Sequence, residues 1–377
     1  MARVYLQHMV EDIPDSSLPQ ARVDHDLAFF SSAKRLYDYQ QQALQNALKA
    51  LWKYYEDFGD YQQGETADAN RQRKQQLWEW YQVNGLTEDF SIEPKPAFAD
   101  LLYEYYADYI DPRTGKITYE AFINRMGFWM ATGSGKTLVI VKLIELLGRL
   151  RRVGEVPPCD ILFLTHRDDL IEQLKRHVDE FNASHTDTPI VLYELKEHTA
   201  VKRERRSLFQ EGEITVFYYR SDNLSDEQKE KIIDFRNYDN DGRWFVLLDE
   251  AHKGDREDSK RQHIYSILSR NGFLFNFSAT FTDPRDIATT VYNFNLSEYI
   301  RRGYGKHLLV LQQELRAFKD KEDYSADEKR RLVLKTLILL AYVRKVREEM
   351  ESPLTPTLFG VGSPLTPSLS PLTKGGD

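Results

Sequence analysis

The segment ATGSGKT at residues 131–137 sets two glycines, three hydroxyl side chains and one lysine in seven positions. Glycines at 133 and 135 allow successive backbone N–H groups to turn inward onto an anion, a conformation that other residues resist. Thr132, Gly133, Ser134, Gly135, Lys136 and Thr137 thus form a candidate phosphate cradle. Lys136 would reach the β- and γ-phosphates of a nucleoside triphosphate, and the Thr137 hydroxyl would ligate Mg²⁺. The generic pattern asks for glycine at position 130, where this chain has Met130. The competing explanation is a flexible glycine turn ahead of a helix.

A second group lies downstream, in RWFVLLDEAH at residues 243–252. Asp249 and Glu250 follow an apolar run, so both carboxylates emerge at the end of a buried strand. One acid there can hold Mg²⁺ through water, and its neighbour can orient and deprotonate an attacking water. A surface acidic turn is the alternative for the tetrapeptide taken alone. FNFSAT at 275–280 ends another apolar run with Ser278 and Thr280, an ordinary strand terminus unless read in order after the first two groups.

Such residues need a rigid frame. From Gly127 onward, short apolar runs alternate with helical patterns: GFWMA, DILFLT, PIVLYEL, ITVFYY, RWFVLLD and FLFNFSA. Between them, DDLIEQLKRHVDEF puts Leu170, Ile171, Leu174, Val178 and Phe181 on one helical face. Runs that are apolar throughout suit strands covered on both sides, which predicts an α/β fold with a mostly parallel sheet flanked by helices. The expected organisation is a lead-in over 1–52, a helical insertion over 53–125, the sheet-bearing lobe over 126–310, a charged helical extension over 311–351, and a tail over 352–377. That tail repeats SPLTP, and its Pro, Ser and Thr content without apolar periodicity predicts disorder.

Composition narrows the class. A 41% hydrophobic and 29% charged chain is that of a globular protein, and its formal charge of -8 confines any polyanion contact to local basic patches. The single cysteine excludes an internal disulfide and, with no signal-type N-terminus, predicts a cytoplasmic home. The most apolar segments are too short or too charged to span a bilayer. DYIDPRTGKITYEAF fails as a calcium loop, because Ile110 and Pro112 would occupy ligand positions. The Tyr/Trp-rich segment is read as packing rather than base stacking. KRERR at 202–206, with Arg301, Arg302 and Lys306, is read as a solvated charge run or, alternatively, as phosphate contacts.

The ordered series MATGSGKT, DEAH, SAT resembles the DEAD/DEAH-box helicases of superfamily 2. INRMGFWMATGSGKTLVIVKLI is most similar to the helicase (Res) subunit of type III restriction enzymes, and the resemblance runs over roughly residues 30–310. It implies a RecA-like lobe whose motifs line an ATP cleft, with ATP and Mg²⁺ as cofactors and DNA as partner. Carried over, Lys136 and Thr137 bind phosphate and Mg²⁺, Asp249 positions Mg²⁺, Glu250 activates water, and His252, Ser278 and Thr280 couple the ATP state to nucleic acid. LYDYQQQAL resembles the family segment in which a glutamine, here Gln40, reads the adenine edge; a polar helix face is the alternative. LTHRDDLIEQ resembles the motif in which Arg167, with Thr165 and nearby backbone, contacts phosphates of the bound strand; a solvated turn is the alternative. YYRSDNL at 218–224 matches the next motif only loosely.

No second sheet-and-helix series and no Q-x-x-G-R-x-x-R pattern follow residue 310. The expectation is an N-terminal motor portion without the second lobe or the nuclease, paired with a separate second lobe or a modification methyltransferase subunit. A nucleotide- or DNA-binding fragment without motor activity is the alternative, and a P-loop NTPase outside the helicases is a third reading.

Overall fold

Each of the six apolar runs becomes a strand. The computed structural model describes residues 4–56, 66–207, 212–229, 232–249, 260–304 and 325–349. Its strands are β1 (Arg125–Met130), β2 (Asp160–Thr165), β3 (Ile190–Glu194), β4 (Ile214–Arg220), β5 (Leu224–Ser225), β6 (Ile233–Asp234), β7 (Trp244–Asp249), β8 (Phe273–Ser278) and β9 (Thr290–Phe294). The helices are α1 (Tyr5–Glu11), α2 (Gln20–Val23), α3 (Asp38–Tyr55), α4 (Thr66–Val83), α5 (Ala99–Tyr106), α6 (Lys136–Arg152), α7 (Asp168–Asn182), α8 (His198–Ser207), α9 (Lys260–Leu268), α10 (Pro284–Ala288), α11 (Leu296–Arg301) and α12 (Ala326–Glu349). Glu250, His252, Lys306 and the tail from residue 352 lie outside the described residues.

Seven strands make one sheet in the order β3-β4-β2-β7-β8-β1-β9, with every pairing parallel. Parallel pairing accounts for the unbroken apolar runs, since β7 and β8 are buried at all six positions each. It also brings Met130, Thr165, Arg220, Asp249 and Ser278 to one edge, because each ends its strand. The chain leaves β1 through α6 for β2 on one side, and leaves β8 through α10 for β9 on the other. Such a reversal opens a crevice at the carboxyl ends of the strands, the usual place for a ligand in an open α/β sheet.

β9, with the sequence TVYNF, lies outside the six apolar runs. The N-terminal lead-in secures it. The Asn293 N–H donates to Gln7 Oε1 of α1 at 2.8 Å, and Asn46 Nδ2 of α3 donates to the Val291 carbonyl at 3.0 Å. Covering an edge strand in this way satisfies backbone groups that would otherwise template aggregation.

The 66–124 segment packs into the same core as the sheet, through Leu77, Tyr81, Leu102, Tyr106, Tyr119 and Phe122. Its rings pack on one another, as in Tyr106 with Phe122 (4.7 Å between centroids) and Trp78 with Tyr119 (5.9 Å). Lys74 of α4 is buried there and donates from Nζ to the Ala121 carbonyl at 2.7 Å. Burial, reinforced by Arg125 and Arg270, pulls its ammonium down to about 7 from 10.5. Between those values the unfolded chain holds the proton and the folded chain has released it, so this lysine makes stability rise with pH from about 7 to 10.5. Chemical denaturation across that window is expected to show the rise in the wild type, by at most about 4–5 kcal/mol, and a flatter profile in Lys74→Met. Equal slopes in the two proteins would refute the account.

The chain divides into a unit of Met1–Tyr299 and a unit of Ile300–Asp377. In the second, α12 carries exposed Val333, Leu334, Leu337, Ile338 and Tyr342.

Candidate phosphate-binding site

β1 ends at Met130, and the chain turns through 131–135 into α6. Gly133 and Gly135 take φ of +83° and +78°, the left-handed region that glycine enters without strain. Ser134 N–H donates to the Ala131 carbonyl at 3.1 Å, and Leu138 N–H to the Gly135 carbonyl at 3.0 Å, so α6 starts at Lys136 directly after the turn. The first N–H groups of a helix lack intrahelical partners and carry partial positive charge, which suits an anion. A Cβ on Gly133 would meet nothing nearer than the Tyr299 hydroxyl at 4.0 Å, so the turn is open on that side. Thr132 is exposed, while Ser134, Lys136 and Thr137 are buried, and Ser134 Oγ makes no hydrogen bond among the described residues. An orphaned hydroxyl inside a glycine-rich turn fits a cradle that a bound anion completes.

Three side chains hold the turn from outside. Tyr39 Oη and Gln40 Nε2 both donate to the Ser134 carbonyl at 2.8 Å, and Tyr299 Oη donates to the Gly133 carbonyl at 3.4 Å. Gln40 Oε1 accepts from the Tyr37 N–H at 2.8 Å, capping α3. Gln40 is only 1% exposed, and each end of its amide keeps one hydrogen-bonding valence. Gly135 explains the fit, since a Cβ there would lie 2.5 Å from Gln40 Nε2. The roles of Tyr39 and Tyr299 escape sequence reasoning. Tyr39 reads as a helical aromatic, and Tyr299 lies 166 positions from its partner.

Asp249 ends β7, is 3% exposed, and pairs in register with Phe277, which pairs with Phe128 of β1. β8 alone separates its strand from β1, a backbone separation of about 10 Å. Ser278 Oγ donates to the Thr280 carbonyl at 2.8 Å and accepts from the Thr280 N–H at 3.1 Å, closing a tight turn. Trp129 Nε1 donates to the Ala279 carbonyl at 3.1 Å, and Phe128 stacks on Phe277 at 4.3 Å. The turn after β8 is therefore braced by the strand that leads into the glycine turn.

Thr165 and Arg167 lie at the same edge, beyond β7. Thr165 is 0% exposed and its Oγ1 makes no hydrogen bond among the described residues, whereas Arg167 is exposed and bonds Asp169 through Nε (2.8 Å) and Nη2. Arg220, in register with Thr165, bonds Asp168 (2.7 Å) and Asp222 (2.5 Å). The hydrogen bond from Arg167 holds Asp169 below the usual carboxylate range, and that from Arg220 does the same for Asp222. Both guanidinium groups are thus already paired with carboxylates. Lys202, from the KRERR run, instead pairs with Asp160 at 2.6 Å, at the opposite edge of the sheet.

The family described as type III restriction enzyme, res subunit, matches residues 33–283, which takes in the glycine turn, Asp249 and the Ser278 turn. No curated protein matches the chain.

Proposed function

We propose, from the premise that the chain belongs to the type III restriction enzyme res-subunit family, that it is a DNA-dependent ATP-hydrolysing motor lobe. The observation that carries this reading is the open, orphan-bearing glycine turn at the sheet's switch point, with a buried carboxylate two strands away on the same edge. Thr132 through Thr137 hold the triphosphate, with the Lys136 ammonium at its β- and γ-phosphates. Thr137 and Asp249 are the groups that would hold Mg²⁺, which when bound would neutralise charge that builds in the transition state. Glu250 takes the proton of the attacking water. Gln40 turns its remaining donor and acceptor to the adenine edge. His252, Ser278 and Thr280 relay the state of the γ-phosphate, and the bracing of the Ser278 turn by Trp129 supports that relay. DNA lies along the carboxyl edge, at Arg167 and the backbone near Thr165.

Full turnover needs an arginine delivered across the cleft by a second lobe, which is worth about 10³–10⁵ in related phosphoryl transfers. A second lobe and a modification methyltransferase subunit are the proposed protein partners. A reading as a binding module with little turnover is favoured by one observation, the pairing of Arg167 and Arg220 with carboxylates. ATPase assays with and without duplex DNA at low salt separate the two. The motor reading expects DNA-stimulated turnover in the wild type, and in Glu250→Gln retained ATP binding with turnover lost. Undiminished turnover in Glu250→Gln would remove Glu250 from the mechanism, and turnover indifferent to DNA would favour the binding module.

A further inference from the structure

Asn276, in the middle of β8, is 2% exposed, and its side-chain carbonyl Oδ1 makes no hydrogen bond among the described residues. The other end of the same amide does, since Nδ2 donates to Asp286 Oδ1 of α10 at 3.4 Å. A carboxylate has no proton to give, so an ionised Asp286 can meet only the N–H end of that amide. A protonated carboxyl can meet both ends, accepting from the N–H and donating to the carbonyl, and a buried acceptor left alone is costly. The orphaned Oδ1 therefore points to a proton on Asp286.

The groups that face this carboxyl are Arg125 of β1, Asp283 and Arg285 of α10, His263 of α9, and Tyr119. Arg285 is engaged with Asp283, through Nε at 3.0 Å and Nη2 at 2.7 Å. Arg125 donates from Nε to the Phe122 carbonyl at 2.7 Å and from Nη2 to Ser266 Oγ at 3.0 Å. Its Nη1 stops 3.9 Å from Asp286 Oδ1, beyond hydrogen-bond reach. Arg125 and Asp286 also line a cavity of about 30 Å³ between α9 and α10, which leaves room for the two to close. Burial pushes the Asp286 carboxyl up to about 6 from 3.8, against the pull of Arg125.

We propose that Asp286 and Asn276 form a proton-operated lock between α10 and β8. Locked, the protonated carboxyl accepts from Asn276 Nδ2 and donates to Asn276 Oδ1; on releasing its proton to solvent it frees Oδ1 and turns to Arg125 Nη1. The lock secures one end of a strap, residues 279–286. The other end follows the Ser278 turn, held by Trp129 Nε1 on the Ala279 carbonyl and by Phe281 packed over Gly127. Ionisation thus moves the anchor of this strap from β8 to β1. None of these residues belongs to the glycine turn, so the lock stands whatever that turn binds.

NMR of the full chain, labelled on asparagine side-chain nitrogens, tests this. The Asn276 amide signal is expected to shift as pH rises, with a midpoint near 6, and to stay still in Asp286→Asn, which cannot ionise. The folded carboxyl keeps its proton to higher pH than the unfolded one, so its contribution to stability is complete below 3.8 and is lost as pH rises to 6. The folding equilibrium constant of the wild type should therefore fall relative to that of Asp286→Asn across this window, by up to about 10²-fold. Arg125→Met is expected to move the NMR midpoint upward, because the ionised form loses its cation. An Asn276 signal that ignores pH, or that titrates equally in Asp286→Asn, overturns the lock. If Asp286→Asn does not fold, Arg125→Met decides, and an unmoved midpoint there overturns the exchange between Asn276 and Arg125.

Discussion

Replacing Lys136 with alanine is expected to lower ATP turnover by about 10²–10³-fold, the usual cost of deleting one preorganised group that meets developing charge in a transition state. The lysine is the first residue of α6 and is buried against the glycine turn. An ammonium held there contributes more than it would in water, because the surroundings screen it less. The substitution itself is mild for the fold, since alanine is the best helix former. Thermal melting of Lys136→Ala should therefore stay close to the wild type while ATP affinity and DNA-stimulated turnover both fall. A variant that turned over ATP normally would show that the turn is not the phosphate site. A variant that lost activity only together with its melting transition would make the lysine a structural residue.

Replacing Gly272 with alanine is expected to destabilise the sheet-bearing unit by about 3 kcal/mol or more, the upper range for forcing volume into a packed interior. A Cβ at this position would lie 2.1 Å from the Trp244 carbonyl oxygen, 2.7 Å from its carbon and 3.0 Å from its nitrogen. These are backbone atoms at the start of β7, so no rotamer change relieves them. Nor can Gly272 withdraw easily. Its N–H donates to the Ser269 carbonyl at 2.9 Å, and its own carbonyl accepts from Asn124 Nδ2 at 3.0 Å. Trp244 is fully buried between Phe217 and His198. A drop in melting temperature of roughly 5 °C or more follows for a unit of this size, with lower soluble yield. Gly154→Ala makes a control, since φ there is +75° but a Cβ meets nothing within 4 Å. If Gly272→Ala melts within a degree or two of the wild type, the close approach of β7 and β8 at this edge is not as tight as described.

These two sites differ in how visible they are from residue types alone. Gly133, Gly135, Lys136 and Thr137 declare themselves, because a candidate phosphate cradle is built from contiguous residues and its physics is local. Gly272 does not, since its requirement comes from a strand that starts 28 positions earlier. The six apolar runs were legible as strands for the same local reason. α7 was legible too, with Ile171, Leu174, Val178 and Phe181 all buried as the periodicity implies, though Leu170 remains partly exposed. β9 was not legible, because TVYNF gains its strand character from β1 beside it and from Gln7 and Asn46 outside it.

What the amino-acid order determined by itself, then, is the class of fold and the turn at residues 131–137, since unbroken apolar runs and glycine conformational freedom act over a few residues at a time. Tertiary structure decided which side chains attend that turn. Gln40 braces it with one donor and one acceptor of its amide engaged, Tyr39 and Tyr299 hold its carbonyls, and along the same edge of the sheet Arg220 meets Asp168. The physical reason is that hydrogen bonds and ion pairs between residues 52 to 166 positions apart depend on strand order and register, which emerge only when the whole sheet has assembled.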